Sequence, residues 1–223
     1  MTSDPETQSI VGLYKKIRIA LRISLYYGKA GFGFFYRGRS GLTNRSLGIA
    51  INKIQRLRRT SPESFARWII SIIMEERLEV LDDRPAAPHL VAKYKLPIKV
   101  NMPDHSKIVA RAHWSMGYGN GGNNRRWKLM VLGTNEWKNT LSELLFCVGA
   151  IQGDQPVYGI VTDAIGFMFV AIHNRKVFVS GIVDWFEENE LVVYFFDYIL
   201  RDIVESCSMD NVQQSPVDDL EEI

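Results

Sequence analysis

The sequence predicts a mixed α/β domain, a sheet of both parallel and antiparallel strands with helices, behind a basic helical lead-in. Three observations predict it. Between Arg125 and Ser180 an apolar strand, an apolar helix and a β-hairpin come in direct succession. Before residue 84 the apolar residues recur at helical spacing, and from Leu96 to Arg111 they come in runs of strand length. The composition, 46 % hydrophobic and 23 % charged over 223 residues, suits one globular domain with an appendage.

Taken in order, residues 1 to about 8 are polar and read as disordered. From Ile10 to Tyr27 the apolar positions Ile10, Leu13, Ile17, Leu21 and Leu25 alternate with Lys and Arg, the pattern of a basic amphipathic helix. Such a helix either docks on the core with its basic face in water or meets an anionic surface. Gly28 to Gly41 interleaves Phe32, Phe34, Phe35 and Tyr36 with Lys29, Arg37 and Arg39. That mixture fits single-stranded nucleic acid, which stacks on rings and pairs its phosphates with Arg. It equally fits a loop whose aromatics plug a core. Leu47 to Arg59 is a second basic helical stretch. Ser61-Pro62 then reads as an N-cap with Pro at the first helical position, opening a helix to about Leu81. Asp82 to Pro88 is a connector.

Leu96–Val100 and Ser106–Arg111 read as strands around a turn at Met102-Pro103-Asp104-His105, with His113 to Gly119 continuing the second. Trp127 to Leu132 is a buried strand, and the next helix runs from about Thr140 to Ile151. Val157–Asp163, Phe167–Ile172 and Lys176–Ser180 are three more strands, with Asp163 capping the first hairpin turn. A helix from about Glu190 to Glu205 is apolar on more than one side and should pack deeply. The expected divisions are a basic helical region (1–84), an α/β core (85–205) and an acidic disordered tail (206–223).

Charge is distributed unevenly. Residues 1 to 60 hold twelve Lys and Arg against Asp4 and Glu6, a net of +10, whereas the six acidic residues from Glu205 onward face no base. Lys15, Lys16, Arg18, Arg22, Arg37, Arg39, Arg56, Arg58 and Arg59 are therefore the candidate nucleic-acid contacts, for DNA or RNA. An acidic protein partner would meet the same residues, and self-association is a further expectation. The two cysteines, Cys147 and Cys207, make no disulfide framework, which points to a reducing compartment, cytoplasmic or nuclear. No apolar run reaches the roughly 18 residues of a membrane helix.

For chemistry, the helix–strand–strand–strand–helix–strand–strand order is that of the PD-(D/E)XK nuclease core. Such a core needs carboxylates around a divalent cation that activates water and neutralises phosphate charge. The sequence supplies Pro103-Asp104, then Glu136-Trp137-Lys138, then Glu143 on the next helix. Read literally, Asp104 and Glu136 would hold Mg²⁺ or Mn²⁺, Lys138 would position water and Glu143 would be an additional acid. Asp104, however, precedes the strand that should carry it, and Glu136 lies past the end of its strand.

Residues from about 108 to 205 resemble a nuclease-like domain of the PD-(D/E)XK superfamily that is widespread in filamentous fungi. The resemblance rests on Trp114-Ser115-Met116-Gly117-Tyr118-Gly119, Lys128 to Leu132, Glu143-Leu144-Leu145 and Val157 to Asp163. The Phe167/Phe169 strand, Val177 to Ser180 and the aromatic last helix complete it. It implies an Asp just before the Trp, an E-x-K at the end of the next strand and Gln or Glu in the helix after that. In this register the Asp position is His113, and the E-x-K positions fall near Met130 to Leu132 unless a gap brings in Glu136 and Lys138. Glu143 fits without adjustment.

These residues support two main expectations. In one, the domain is an intracellular pseudo-nuclease with no cofactor that binds nucleic acid or a protein, and the resemblance implies a genetic-conflict or toxin-type setting for it. In the other, Asp104, Glu136, Lys138 and Glu143 form a displaced, working Mg²⁺ or Mn²⁺ site. A purely protein-binding module is a third reading. His113 could join a transition-metal site with Asp104 or Glu143, or be a packed strand residue.

Overall fold

A computed structural model describes residues 24–27, 62–81, 90–101, 107–119 and 126–214. Its elements are β1 (Ser24–Tyr27), α1 (Pro62–Leu81), β2 (Leu90–Asn101), β3 (Lys107–Tyr118) and β4 (Arg126–Gly133). They continue with α2 (Trp137–Ala150), β5 (Val157–Thr162), β6 (Gly166–His173), β7 (Lys176–Asp184) and α3 (Trp185–Gln214). The strands form one mixed sheet in the order β1-β7-β6-β5-β4-β3-β2. β4 and β5 are parallel, as are β1 and β7, and the other neighbours are antiparallel.

A parallel pair cannot be joined by a tight turn, so β4 and β5 require a crossover, and α2 supplies it. Leu144, Leu145, Phe146, Cys147 and Val148 of α2 are buried with Met130 and Leu132 of β4 on one face. On the other face Leu129 and Val131 pack with α1 (Ile69, Ile70, Ile73, Met74) and α3 (Val192, Phe195, Phe196, Ile199, Ile203). Strand alternation thus feeds two cores at once, giving three layers with the sheet in the middle. Phe167, Phe169, Trp185, Phe195 and Phe196 form an aromatic cluster under α3, with Phe169 and Phe195 centroids 4.8 Å apart.

The hairpins obey local chemistry. Asp163 Oδ1 accepts from the Ile165 and Gly166 amides at 3.0 and 2.7 Å, the expected turn cap. Asn174 and Arg175 both have positive φ, the geometry a two-residue type I′ turn needs.

The structure departs from expectation at three places. Residues 24–27, the expected end of a helix from Ile10, are a strand. There the Leu25-Tyr26-Tyr27 run pairs with the open edge of β7, so sheet pairing prevails over the helical pattern. The rest of that stretch lies outside the described residues, as do the basic residues 15 to 59 apart from the strand, and the turn with Asp104 and His105. The last helix begins at Trp185, breaks at Glu188 (φ −134°, ψ 39°) and continues to Gln214. It therefore runs through the first nine residues of the expected tail. The reason is packing: Ile199, Leu200, Ile203, Val204 and Cys207 keep one helical stripe buried beyond Glu205. Finally, α1 falls on the lead-in side of the expected division at residue 84, yet it packs in the same core as α3.

Gly117 sits at the β3–β4 bulge. A Cβ there would run into the Arg126 carbonyl oxygen, with Trp127 Cα at 2.8 Å, and neither backbone atom can rotate away. Gly117→Ala should lower stability by about 1–3 kcal/mol, the usual cost of overpacking. A urea midpoint unchanged from wild type would show that the bulge yields.

Candidate functional site

Of the site residues read from the sequence, His113, Glu136 and Lys138 lie around the C-terminal end of β4, and Glu143 follows on α2. Gly133 closes the strand, and the Thr134 amide donates to the Thr162 carbonyl at 2.9 Å, holding the chain beside β5. Thr134 Oγ1 then accepts from the Glu136 amide at 2.7 Å and lies 2.6 Å from Thr140 Oγ1. This threonine pair sets the entry to α2. Glu136 is the N-cap residue, but its side chain makes no capping bond and is exposed. Lys138 and Glu143 are exposed on α2. Glu136 and Lys138 therefore belong to the start of the helix, past the strand. Asp104 lies outside the described residues. Among the described residues no group of three or more His, Cys, Asp or Glu side chains is placed to hold a metal ion.

The strand positions that the resemblance assigns to E-x-K are occupied by Met130, Val131 and Leu132, all buried. Sliding Glu136 into the Met130 position would shift β4 by about six residues and pull Gly133, Thr134 and Asn135 into the sheet's centre. An unpaired carboxylate there would cost several kcal/mol. Trp114 pairs with Val131, which puts His113 next to the end of β4. Its Nδ1 accepts from the Gly133 amide at 2.9 Å. The ring thus stands in for a ladder carbonyl, and that nitrogen is committed to the backbone and not to a metal. Among the described residues, the positions that the resemblance would assign to metal ligands hold Met130, Leu132 and His113, and these offer no carboxylate oxygen.

Two buried polar clusters escaped the sequence reading. Lys128 is 3 % exposed on β4; its Nζ donates to the Pro156 carbonyl at 3.0 Å and lies 3.8 Å from Asp202 Oδ2. Tyr158 packs beside them, edge-on to Tyr198 with ring centroids 6.3 Å apart. Burial raises the Tyr158 phenol, and Asp202 and Tyr198 add to it. Burial also raises the Asp202 carboxyl, opposed by the Lys128 charge. Tyr158 Oη and Asp202 Oδ2 are adjacent but not within good hydrogen-bond geometry of each other. In the second cluster Arg77, 3 % exposed, pairs with Glu76 and lies 3.6 Å from Asp197. Burial opposes the Arg77 charge, and Glu76 and Asp197 more than offset it. Burial raises the Asp197 carboxyl against the pull of Arg77. The available sequence signals were single charges inside apolar runs: Lys128 after Trp127, and Asp197 and Asp202 within the aromatic helix. The two clusters tie α3 to β4 and to α1.

Cys147 is buried on α2, as its place in the apolar pattern suggested. Burial, with Glu143 adding, pushes its thiol up to about 12, so it is not a reactive nucleophile. Among the described residues no helix is long and apolar enough to cross a membrane.

Comparison of the chain with protein-family models and with curated proteins finds no match.

The raised Asp202 carboxyl has a consequence for stability. A proton held more tightly in the folded than in the unfolded chain favours the fold at low pH. Its contribution is full below the ordinary carboxylate pKa of about 4 and is lost as pH rises through the higher folded value. Relative to Asp202→Asn, wild type should therefore gain stability as pH falls from 7 toward 4. Urea unfolding of both proteins across that range checks it; a difference independent of pH would show that Asp202 is ionised normally.

Proposed function

We propose that this chain is a PD-(D/E)XK-like domain that has lost its cutting chemistry and is kept for binding, with nucleic acid as the partner of its basic N-terminal residues. The order α1, β2, β3, β4, α2, β5, β6 supports the fold assignment, since it matches helix–strand–strand–strand–helix–strand–strand with α2 as the crossover. The observation that carries the loss of chemistry is the filling of the E-x-K strand positions by buried Met130 and Leu132. Cutting would need carboxylates in those positions, where the metal could be shared with substrate. Glu136 and Lys138 are exposed at the start of a helix and have no such placement.

Binding then falls to charge. Lys15, Lys16, Arg18, Arg22, Arg37, Arg39, Arg56, Arg58 and Arg59 carry the excess positive charge that phosphates would neutralise. The genetic-conflict setting and the cytoplasmic or nuclear location belong to this proposal as well.

The full chain, incubated with Mg²⁺ or Mn²⁺ and single- or double-stranded DNA and RNA, should leave every substrate intact. Binding should weaken steeply with salt, by roughly 10³-fold or more between 50 and 200 mM if six or more phosphates are contacted. Cleavage abolished by Asp104→Ala, Glu136→Ala and Lys138→Ala would instead establish the displaced nuclease site. Binding insensitive to salt, or unaffected by replacing Arg56, Arg58 and Arg59, would overturn the assignment of the basic residues.

A further inference from the structure

β2 is the last strand of the sheet, at the edge away from β1. Its hairpin with β3 changes the side that it buries. Tyr94 stands directly opposite Trp114, and Trp114 packs in the core of α1 and α3. Two residues on, Leu96 and Ile98 with their partners Ala112 and Ala110 pack in the α2 core instead. Regular alternation would keep positions 94, 96 and 98 on one side. Lys95, with φ 53°, stands at the switch. Pro97 and Lys99, with Arg111 and Val109 opposite them, therefore turn to the α1 side of the sheet, and all four are exposed.

α1 brings a second ring to this face. Ser71 Oγ lies 3.2 Å from Tyr94 Oη. Trp68 stands one helical turn before Ser71, on the same side of α1. Trp68 is 48 % exposed, Tyr94 49 % and Val109 52 %. The contact with Ser71 holds Tyr94 by its hydroxyl and leaves half of the side chain to solvent.

The hairpin strands are basic throughout. β2 and β3 hold Lys93, Lys95, Lys99, Lys107 and Arg111, and no Asp or Glu. Lys99 and Arg111 lie on the face with Tyr94; Lys93 and Lys95 are exposed on the edge strand. Glu75, one turn beyond Ser71, is an exposed acid on that side of α1. Lysines on an edge strand also discourage pairing with another strand. That role gives no reason for two half-exposed rings beside them. Rings open to stacking, with cations along about 17 Å of strand from Tyr94 to Lys99, match the needs of a single-stranded nucleic acid. A duplex keeps its bases stacked and would use the cations alone.

We propose that the face formed by Trp68, Tyr94, Lys99 and Arg111 binds single-stranded nucleic acid, with bases on the two rings and phosphates on the two cations. The proposal rests on the reading of the chain as a nucleic-acid binder. It adds a site on the folded core to the basic residues before residue 60.

The test titrates the full chain into labelled oligothymidylate and into a duplex of the same length, read by fluorescence anisotropy. Trp68→Ala with Tyr94→Ala should weaken single-strand binding roughly tenfold or more and leave duplex binding unchanged. Tyr94→Phe, which keeps the ring, should bind as wild type does. Lys99→Gln with Arg111→Gln should reduce the slope of log affinity against log salt by about 1.4 for the single strand, at roughly 0.7 per phosphate. Single-strand binding unchanged in the ring variant would overturn this site and leave the role of the N-terminal basic residues standing. Equal losses on single strand and duplex would rule out stacking and overturn it as well. If the ring variant shows no cooperative urea transition, the glutamine pair decides, and an unchanged salt slope overturns the site. Polyglutamate bound by wild type and lost on the same ring substitutions would make an acidic polypeptide the occupant. A wild-type chain that binds neither oligonucleotide would overturn this proposal and the proposed function together.

Discussion

The parallel pairing of β4 with β5 is the constraint on which the rest of the structure depends. It forces a crossover helix, and a crossover helix covers one face of the sheet. The opposite face must then be covered as well, because strands this apolar cannot be left against water. β4 shows the consequence most directly: Leu129 and Val131 serve one core while Met130 and Leu132 serve the other. At roughly 1.5–3 kcal/mol for each fully buried side chain, these four positions matter on the scale of a domain's whole net stability. The same burial leaves no polar side chain between Leu129 and Leu132 of β4.

The polar residues that remain inside act as ties between layers. Lys128 reaches from β4 toward Asp202 of α3, and Arg77 of α1 reaches toward Asp197 of α3. Each is a buried charge with its partner on a different element. Arg77 also pairs with Glu76 and Lys128 also donates to the Pro156 carbonyl, so each cation keeps a second partner besides the α3 carboxylate. Their placement therefore fixes how α3 sits on the sheet more than how tightly.

Much of the fold was legible because apolar runs of strand length dominate residues 126 to 184, and periodicity reports burial. β4, α2 and the three strands after it could be placed from pattern, and Asp163 was readable as a turn cap. β1 was not legible: Ser24 to Tyr27 continues a helical pattern, and only the open edge of β7 makes it a strand. The extension of α3 past Glu205 was masked by the acidic composition around it, although Cys207 continues the buried stripe. The candidate site was harder for a physical reason. Glu136-Trp137-Lys138 matches a motif by residue type, but a motif on a strand and the same letters on a helix start present different side-chain directions. Sequence order could not decide between them until the end of β4 was fixed at Gly133.

Electrostatics adds a restriction that the motif could not. The end of the sheet bearing Glu136 is lined by Asp163, Asp184 and Glu187, so the side of the domain nearest the expected catalytic residues is the one least suited to approach by a phosphate backbone. A nuclease compensates such negative charge with bound cations, and here the strand that would hold them is apolar. The positive charge of the chain is instead concentrated before residue 60.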